Sequence, residues 1–236
     1  MTHPGIRMAV RPSGNATLPS GARRLADIAA RQATPCYVYD VEAIEQRLTS
    51  LKRLFSSTFD ISYAVKANPN IALLQRLLPH VASFDVSSYR EAERGMAAGC
   101  PASRLTFSGP AKRIDELCGA IAHGVGELVI ESVAEAIAAD GIAAQRGVTQ
   151  RILIRINPAA HPARSGVNFS ARASQFGIDE EVIDDAIERI CALRHLALAG
   201  FHIFSSTNSL DADAIAENFS ISLRLFRRAA DRAQIA

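Results

Sequence analysis

The chain has little net charge, no long apolar run and no clustered cysteines. A formal charge of only +2 on 236 residues, with no basic stripe interleaved with aromatics, argues against nucleic acid as the main partner. The Arg227-Arg228 pair reads as a solvated helix face. No apolar stretch approaches the ~20 residues of a membrane-spanning helix, and the first residues lack the basic-then-apolar order of a secretion signal. Cys36, Cys100, Cys118 and Cys191 are scattered, with no Cys-x-x-Cys spacing. Reduced thiols in a cytoplasmic protein are the simplest reading, and no metal site is expected. What is present is enough for a full domain core, since 48% of the residues are hydrophobic.

Residues 1–33 read as an N-terminal arm, because Pro4, Gly5, Pro12, Gly14 and Pro19 punctuate a stretch with little periodicity. From about Thr34 short apolar runs alternate regularly with amphipathic stretches. Strands are expected at Cys36–Tyr39, Asp60–Val65, Ser83–Val86, Leu105–Phe107, Glu127–Ile130, Arg151–Ile156 and Leu196–Ile203. Helices are expected at Val41–Phe55, Ile71–Leu78, Ser88–Ala98, Lys112–Ala122, Val133–Arg146, Asp179–Leu193 and Ala212–Ala230. Ser88 and Ser132 stand where helix N-caps belong. The polar segment from Pro158 to Ser174 is too long for a simple connection and reads as a working loop. Seven strand–helix units in a row predict an α/β fold, a parallel (β/α)8 TIM-type barrel over residues 34–236. The barrel is expected to be incomplete, with an eighth strand missing when Cys36–Tyr39 is counted as the first.

The strand ends should share one mouth. Lys66 follows the run Asp60 to Val65 and precedes the breaker Asn68-Pro69-Asn70. An ammonium there is expected to lose hydration and become a nucleophilic amine, as a Schiff-base lysine must. The plain alternative is a lysine that snorkels to solvent. Asp85, the Ser108-Gly109-Pro110-Ala111-Lys112 turn, Glu131, Arg155, and the run His202 to Asn208 end the other strands. Lysine, acid, arginine, aromatic ring and small hydroxyls on one rim could hold a flat anionic cofactor. Singly, Asp85 and Ser88 could be helix caps, Arg155 a surface ion pair and Phe204 core filling.

These motifs, in this order, resemble the fold-type III pyridoxal-phosphate decarboxylases of the ornithine, diaminopimelate and arginine decarboxylase family. The Tyr63-Ala64-Val65-Lys66-Ala67-Asn68 signature is specific to the cofactor lysine of that family, and Phe84-Asp85 with Glu91 follows at the expected distance. Thr34 to Asp40, Gln175 to Asp179 and Gly200 to Phe204 are most similar to the subgroup associated with exosortase and exopolysaccharide clusters. The resemblance extends from about Leu25 to the last residue and implies pyridoxal 5'-phosphate as cofactor, an amino-acid substrate and a homodimer. Lys66 would carry the cofactor as an internal aldimine and Asp85 would lie beside it. Arg155 would approach the phenolic side of the ring. Phe204 falls where many members stack a histidine, and Thr207 aligns with a serine that binds the phosphate.

The sequence departs from the family at Ser206, where glycine is usual, at Asn208, where the subgroup has glutamine, and at Ser174, where lysine is common. Ala171-Arg172-Ala173 replaces a glycine-rich run, whereas Ser165-Gly166-Val167-Asn168 matches the subgroup. The family's triple-glycine phosphate loop, the glutamate that pairs with the pyridine nitrogen, and the C-terminal β-domain are not found in this sequence. Weak activity of this chain alone and an exposed apolar patch are therefore expected. The alternatives are an alanine-racemase-like enzyme and a non-catalytic pyridoxal-phosphate-binding barrel or remnant.

Overall fold

The computed structural model describes residues 20–32, 35–55, 58–160, 167–168, 175–204, 206–207 and 210–235. The chain forms two compact units, divided between Ala43 and Ile44. The first contains helix α1 (Ser20–Arg31), whose Arg31 Nε donates to the Asp27 carbonyl at 3.0 Å. The arm expected over residues 1–33 thus contains a helix in its described part. Residues 36–40 form no strand, contrary to expectation. Their β-forming side chains find no strand to pair with among the described residues, and Tyr37 is 94% exposed. Asp40 instead accepts from the Ala43 amide at 3.1 Å, which satisfies a free donor at the start of helix α2 (Val41–Phe55).

The second unit is built on a parallel sheet. Its elements are β1 (Ser62–Ala64), α3 (Ile71–Leu77), β2 (Ser83–Val86), α4 (Tyr89–Ala97), β3 (Leu105–Phe107) and α5 (Ile114–Ala122). They continue with β4 (Glu127–Ile130), α6 (Val133–Arg146), β5 (Gln150–Asn157), β6 (Val167–Asn168) and β7 (Ile178–Asp179). Helix α7 (Ile183–Cys191), β8 (Leu196–Ile203), β9 (Ser206–Thr207) and α8 (Ala212–Ala233) complete the chain. Strands β1 to β5 lie side by side in chain order, and β8 pairs along the other edge of β5. Short β7, where Asp179 is expected to open a helix, pairs with Ile156 and Asn157 at the end of β5. Seven parallel strands are present as expected in number, with β7 in place of Cys36–Tyr39.

Burial explains the order. Strands β4 and β5 are covered on both faces, with Leu128, Val129, Ile130, Ile152 and Ile154 fully buried. At the sheet's edges, β1 and β8 are mostly half-exposed. Ser88 and Ser132 cap α4 and α6 by accepting from the Glu91 and Glu135 amides, and Glu91 returns a bond to the Ser87 amide at 2.8 Å. Helix α8 exposes Ile215, Phe219, Leu223 and Phe226, an apolar stripe that Phe59 meets at a ring distance of 5.9 Å from Phe219.

Two glycines separate packing from propensity. A Cβ on Gly126 would drive into the Ser103 carbonyl, whereas Gly141 within α6 faces open space. Gly126→Ala should cost about 1–3 kcal/mol through overpacking, and Gly141→Ala should add up to about 1 kcal/mol. Urea unfolding of both variants beside the parent chain checks the pair of opposite signs.

Candidate active site

The parallel register brings the carboxyl ends of the strands to one rim. Ala64 pairs with Asp85, Asp85 with Thr106, and Arg155 with His202. Lys66 sits just past β1 in a single helical turn, Val65–Ala67, because Asn68-Pro69-Asn70 prevents the strand from continuing. The expected loss of water from Lys66 is not found, since this residue is exposed. The reason is its place on β1, which has a neighbour strand on one side only among the described residues. Its ammonium stands 5.5 Å from the centre of the Phe204 ring, which is itself 39% exposed beyond the end of β8.

Asp85 does not cap a helix. Its Oδ1 accepts from the Ser108 hydroxyl at 2.8 Å. Burial pushes its carboxyl above the ordinary value, opposed by the Ser108 bond and by the Lys66 and Arg155 charges. Arg155 is no surface residue, at 6% exposed. Its guanidinium donates to Glu131 Oε1 at 2.8 Å and lies 4.7 Å from the centre of the Phe176 ring. Glu131 is equally buried and also accepts from the Gly109 amide at 2.8 Å and the Gly177 amide at 3.0 Å. Gly177 has φ +73°, and a Cβ there would stand 3.0 Å from Arg155 Cγ, so only glycine lets this turn close on the arginine.

His202 lies beside Arg155 on the neighbouring strand. Burial, followed by the Arg155, Lys112 and Lys66 charges, pulls its imidazole down to about 4 from 6.5. Its Nδ1 is buried with no hydrogen-bond partner among the described residues. Lys112 is enclosed, its ammonium donating to the Gly109 and Val129 carbonyls at 2.8 and 2.6 Å and to Glu135 at 2.6 Å.

Of the five expected site residues, Lys66 and Phe204 are in contact, and Asp85 is close enough to feel the Lys66 and Arg155 charges. Thr207 falls in β9, which pairs antiparallel with β6 through Val167, and its side chain lies outside the described residues. So do Ser165, Gly166, Ala171 to Ser174, Asn208 and the side chain of Ser206. Sequence reasoning placed Glu131, Ser108 and Lys112 at strand ends without giving them roles, and gave Phe176 none. The available signal was a lone glutamate ending an apolar strand, a place where a carboxylate must find a cation.

The two shifted groups act on stability in opposite directions. Below 6.5 the unfolded chain protonates His202 while the folded chain resists until about 4, so stability falls as pH drops through that interval. Asp85 retains a proton in the folded state above 3.8, so its contribution is present in acid and is lost as pH rises through its raised pKa. His202→Gln should therefore flatten the acid loss by on the order of 1 kcal/mol per pH unit. Urea midpoints of parent and variant across that interval check it.

Comparison with known proteins gives this site a family. Residues 41–234 match the family model described as the pyridoxal-dependent decarboxylase, pyridoxal binding domain. The 2-[(L-alanin-3-ylcarbamoyl)methyl]-2-hydroxybutanedioate decarboxylase of Staphylococcus aureus is 34% identical over 177 residues, covering 75% of this chain and 44% of that protein. The diaminopimelate decarboxylase of Zymomonas mobilis is 33% identical over 197 residues, covering 79% of this chain and 46% of that protein. The crystal structure of diaminopimelate decarboxylase from Helicobacter pylori complexed with L-lysine superposes with a TM-score of 0.80 at 25% identity. It covers 89% of this chain and 54% of that one. The chain spans about half the length of the curated relatives it matches. By this match over most of its length, the chain belongs to the pyridoxal-dependent decarboxylase family, through the domain that binds pyridoxal.

Proposed function

We propose that residues 34–236 are the cofactor-binding barrel of a pyridoxal-phosphate-dependent amino-acid decarboxylase, with Lys66 as the residue that carries the cofactor. The observation behind this reading is an exposed lysine amine 5.5 Å from an aromatic ring, on the rim shared with Asp85 and Arg155. The donor set fits the group. A primary amine can engage the aldehyde, the Phe204 ring can lie against the pyridine, and Arg155 can face the phenolic oxygen. Thr207 retains a hydroxyl for the phosphate, and the buried Nδ1 of His202, without a partner among the described residues, offers a polar atom in the same mouth.

Pyridoxal phosphate supplies the electron sink that accepts the pair left when an α-carboxylate departs as carbon dioxide. The chain's own residues bind and orient. Lys66 presents its amine toward the open mouth and then holds a proton at Nζ beside the Phe204 ring. Asp85, its ionisation opposed by burial, is held by the Ser108 hydroxyl, which donates to Oδ1. Arg155 is held in place by Glu131. Phe204 excludes water by stacking, without the charge or hydrogen bond that an imidazole would add.

The substrate in this reading is an α-amino acid, diamino or carrier-linked, and the phrase Gly200 to Phe204 supports the exosortase- and exopolysaccharide-associated subgroup. The full protein is a cytoplasmic homodimer. The family match favours loss of carbon dioxide over the inversion at Cα of a racemase. A non-catalytic pyridoxal-phosphate-binding barrel is the second reading, favoured by the exposure of Lys66.

A visible spectrum of the chain with pyridoxal phosphate, before and after borohydride, tests the cofactor assignment. The parent should show a band above that of the free cofactor and a borohydride-fixed adduct on Lys66, and Lys66→Ala should show neither. No band, or an equal band in Lys66→Ala, overturns the assignment. Carbon dioxide release from amino acids then separates catalyst from binder.

A further inference from the structure

Behind the rim, four charged side chains are buried in one connected set. Lys112 and Glu135 have side chains 2% and 9% exposed, and Arg155 and Glu131 have 8% and 3%. The two ion pairs are stitched together by backbone. Gly109 gives its amide to Glu131 Oε1 at 2.8 Å and its carbonyl to the Lys112 ammonium at 2.8 Å. Glu135 takes the Lys112 ammonium on one oxygen, and its other oxygen accepts from the Glu131 amide at 3.3 Å. Two cations and two anions thus balance, and each carboxylate is held by more than one donor.

Such a set is costly to bury and does not add stability over apolar packing, whereas breaking one member leaves an uncompensated charge. A buried network of this kind serves best as a fixture. Its far end is Arg155, which reaches the rim where Asp85 and His202 both feel its charge. Its near end, Lys112, stands in the turn between β3 and α5, bonded to Gly109, Val129 and Glu135 and lying 5.5 Å from the centre of the Phe107 ring.

We propose that Lys112 and Glu135 are positioning residues that act through Gly109 and Glu131 to fix the Arg155 guanidinium at the rim. The inference rests on the cofactor reading for its consequence at the site, but not for the mechanical coupling. Lys112 sets where Gly109 stands, Gly109 and Glu135 set where Glu131 stands, and Glu131 with the Phe176 ring sets the guanidinium. Losing the ammonium lets the β3–α5 turn relax and frees the glutamate that Arg155 leans on.

The test uses the whole chain with Lys112→Met, and with Lys112→Met/Glu135→Leu in case the single variant does not fold. The first readout needs no cofactor: the side-chain Nη–H resonances of Arg155, assigned by their loss in Arg155→Lys. A guanidinium held by a buried carboxylate should give a sharp signal protected from exchange. It should broaden or vanish in the folded Lys112 variants. The second readout is the dissociation constant for pyridoxal phosphate, expected to weaken about 10-fold for a loss of about 1.4 kcal/mol of orientation. A folded variant whose Arg155 signal and cofactor affinity both match the parent overturns the proposal, as does an Arg155 signal unprotected in the parent. A parent chain that binds no pyridoxal phosphate defeats the cofactor reading instead, and the Arg155 signal still decides the coupling.

Discussion

The ion pair between Arg155 and Glu131 is the constraint around which the rim is arranged. Both partners are 6% exposed, Arg155 on β5 and Glu131 just past the end of β4, and removing either would leave the other without its buried ion-pair partner. Glu131 draws in the amides of Gly109 and Gly177, so the turn after β3 and the segment before β7 are anchored on one carboxylate. Phe176 then closes over the guanidinium. A guanidinium on β5 and a carboxylate at the end of β4 thereby tie the turn after β3 and Gly177 to one point.

Charge balance explains the remaining groups. Burial, with the Arg155, Lys112 and Lys66 charges behind it, pulls the His202 imidazole down to about 4, so it is neutral at neutral pH. In Asp85 burial raises the carboxyl, against the Ser108 hydrogen bond and the Lys66 and Arg155 charges, which favour ionisation. The rim therefore couples one exposed amine, one fixed guanidinium and two groups whose protons are shifted in opposite senses. That combination suits a site that must receive a flat anion and move a proton beside it.

Much of the fold was legible because strand and helix periods alternate cleanly. Helices α2 and α6 and strands β2, β3 and β4 fall on their expected residues, and the Ser88 and Ser132 caps are where their side chains imply. Cys36–Tyr39 misled because β propensity describes a surface that fits a sheet and does not supply the partner strand. Ile178–Asp179 was invisible because two residues carry no period. Arg155 and Asp85 were legible as strand-end residues, but burial of the former and the Ser108 partner of the latter come from cross-strand register. Lys66 was legible from its signature, while its exposure depends on β1 lying at an edge of the described sheet, which no local pattern encodes.

The uneven length of the strands has a consequence for assembly. Strands β1 to β4 are three or four residues long and each pairs with a neighbour about 21 residues away in sequence. Strand β5 is eight residues long and takes β8 along nearly its whole length, across roughly twice that separation. Loop-closure entropy rises only slowly with length, but the β5–β8 ladder must also wait for the long connection and α7 to be accommodated. The early strands can add one local unit at a time, whereas the edge carrying His202 and Phe204 is secured by a single distant pairing. The edge carrying His202 therefore depends on the β5–β8 ladder, the most sequence-distant pairing of the described sheet.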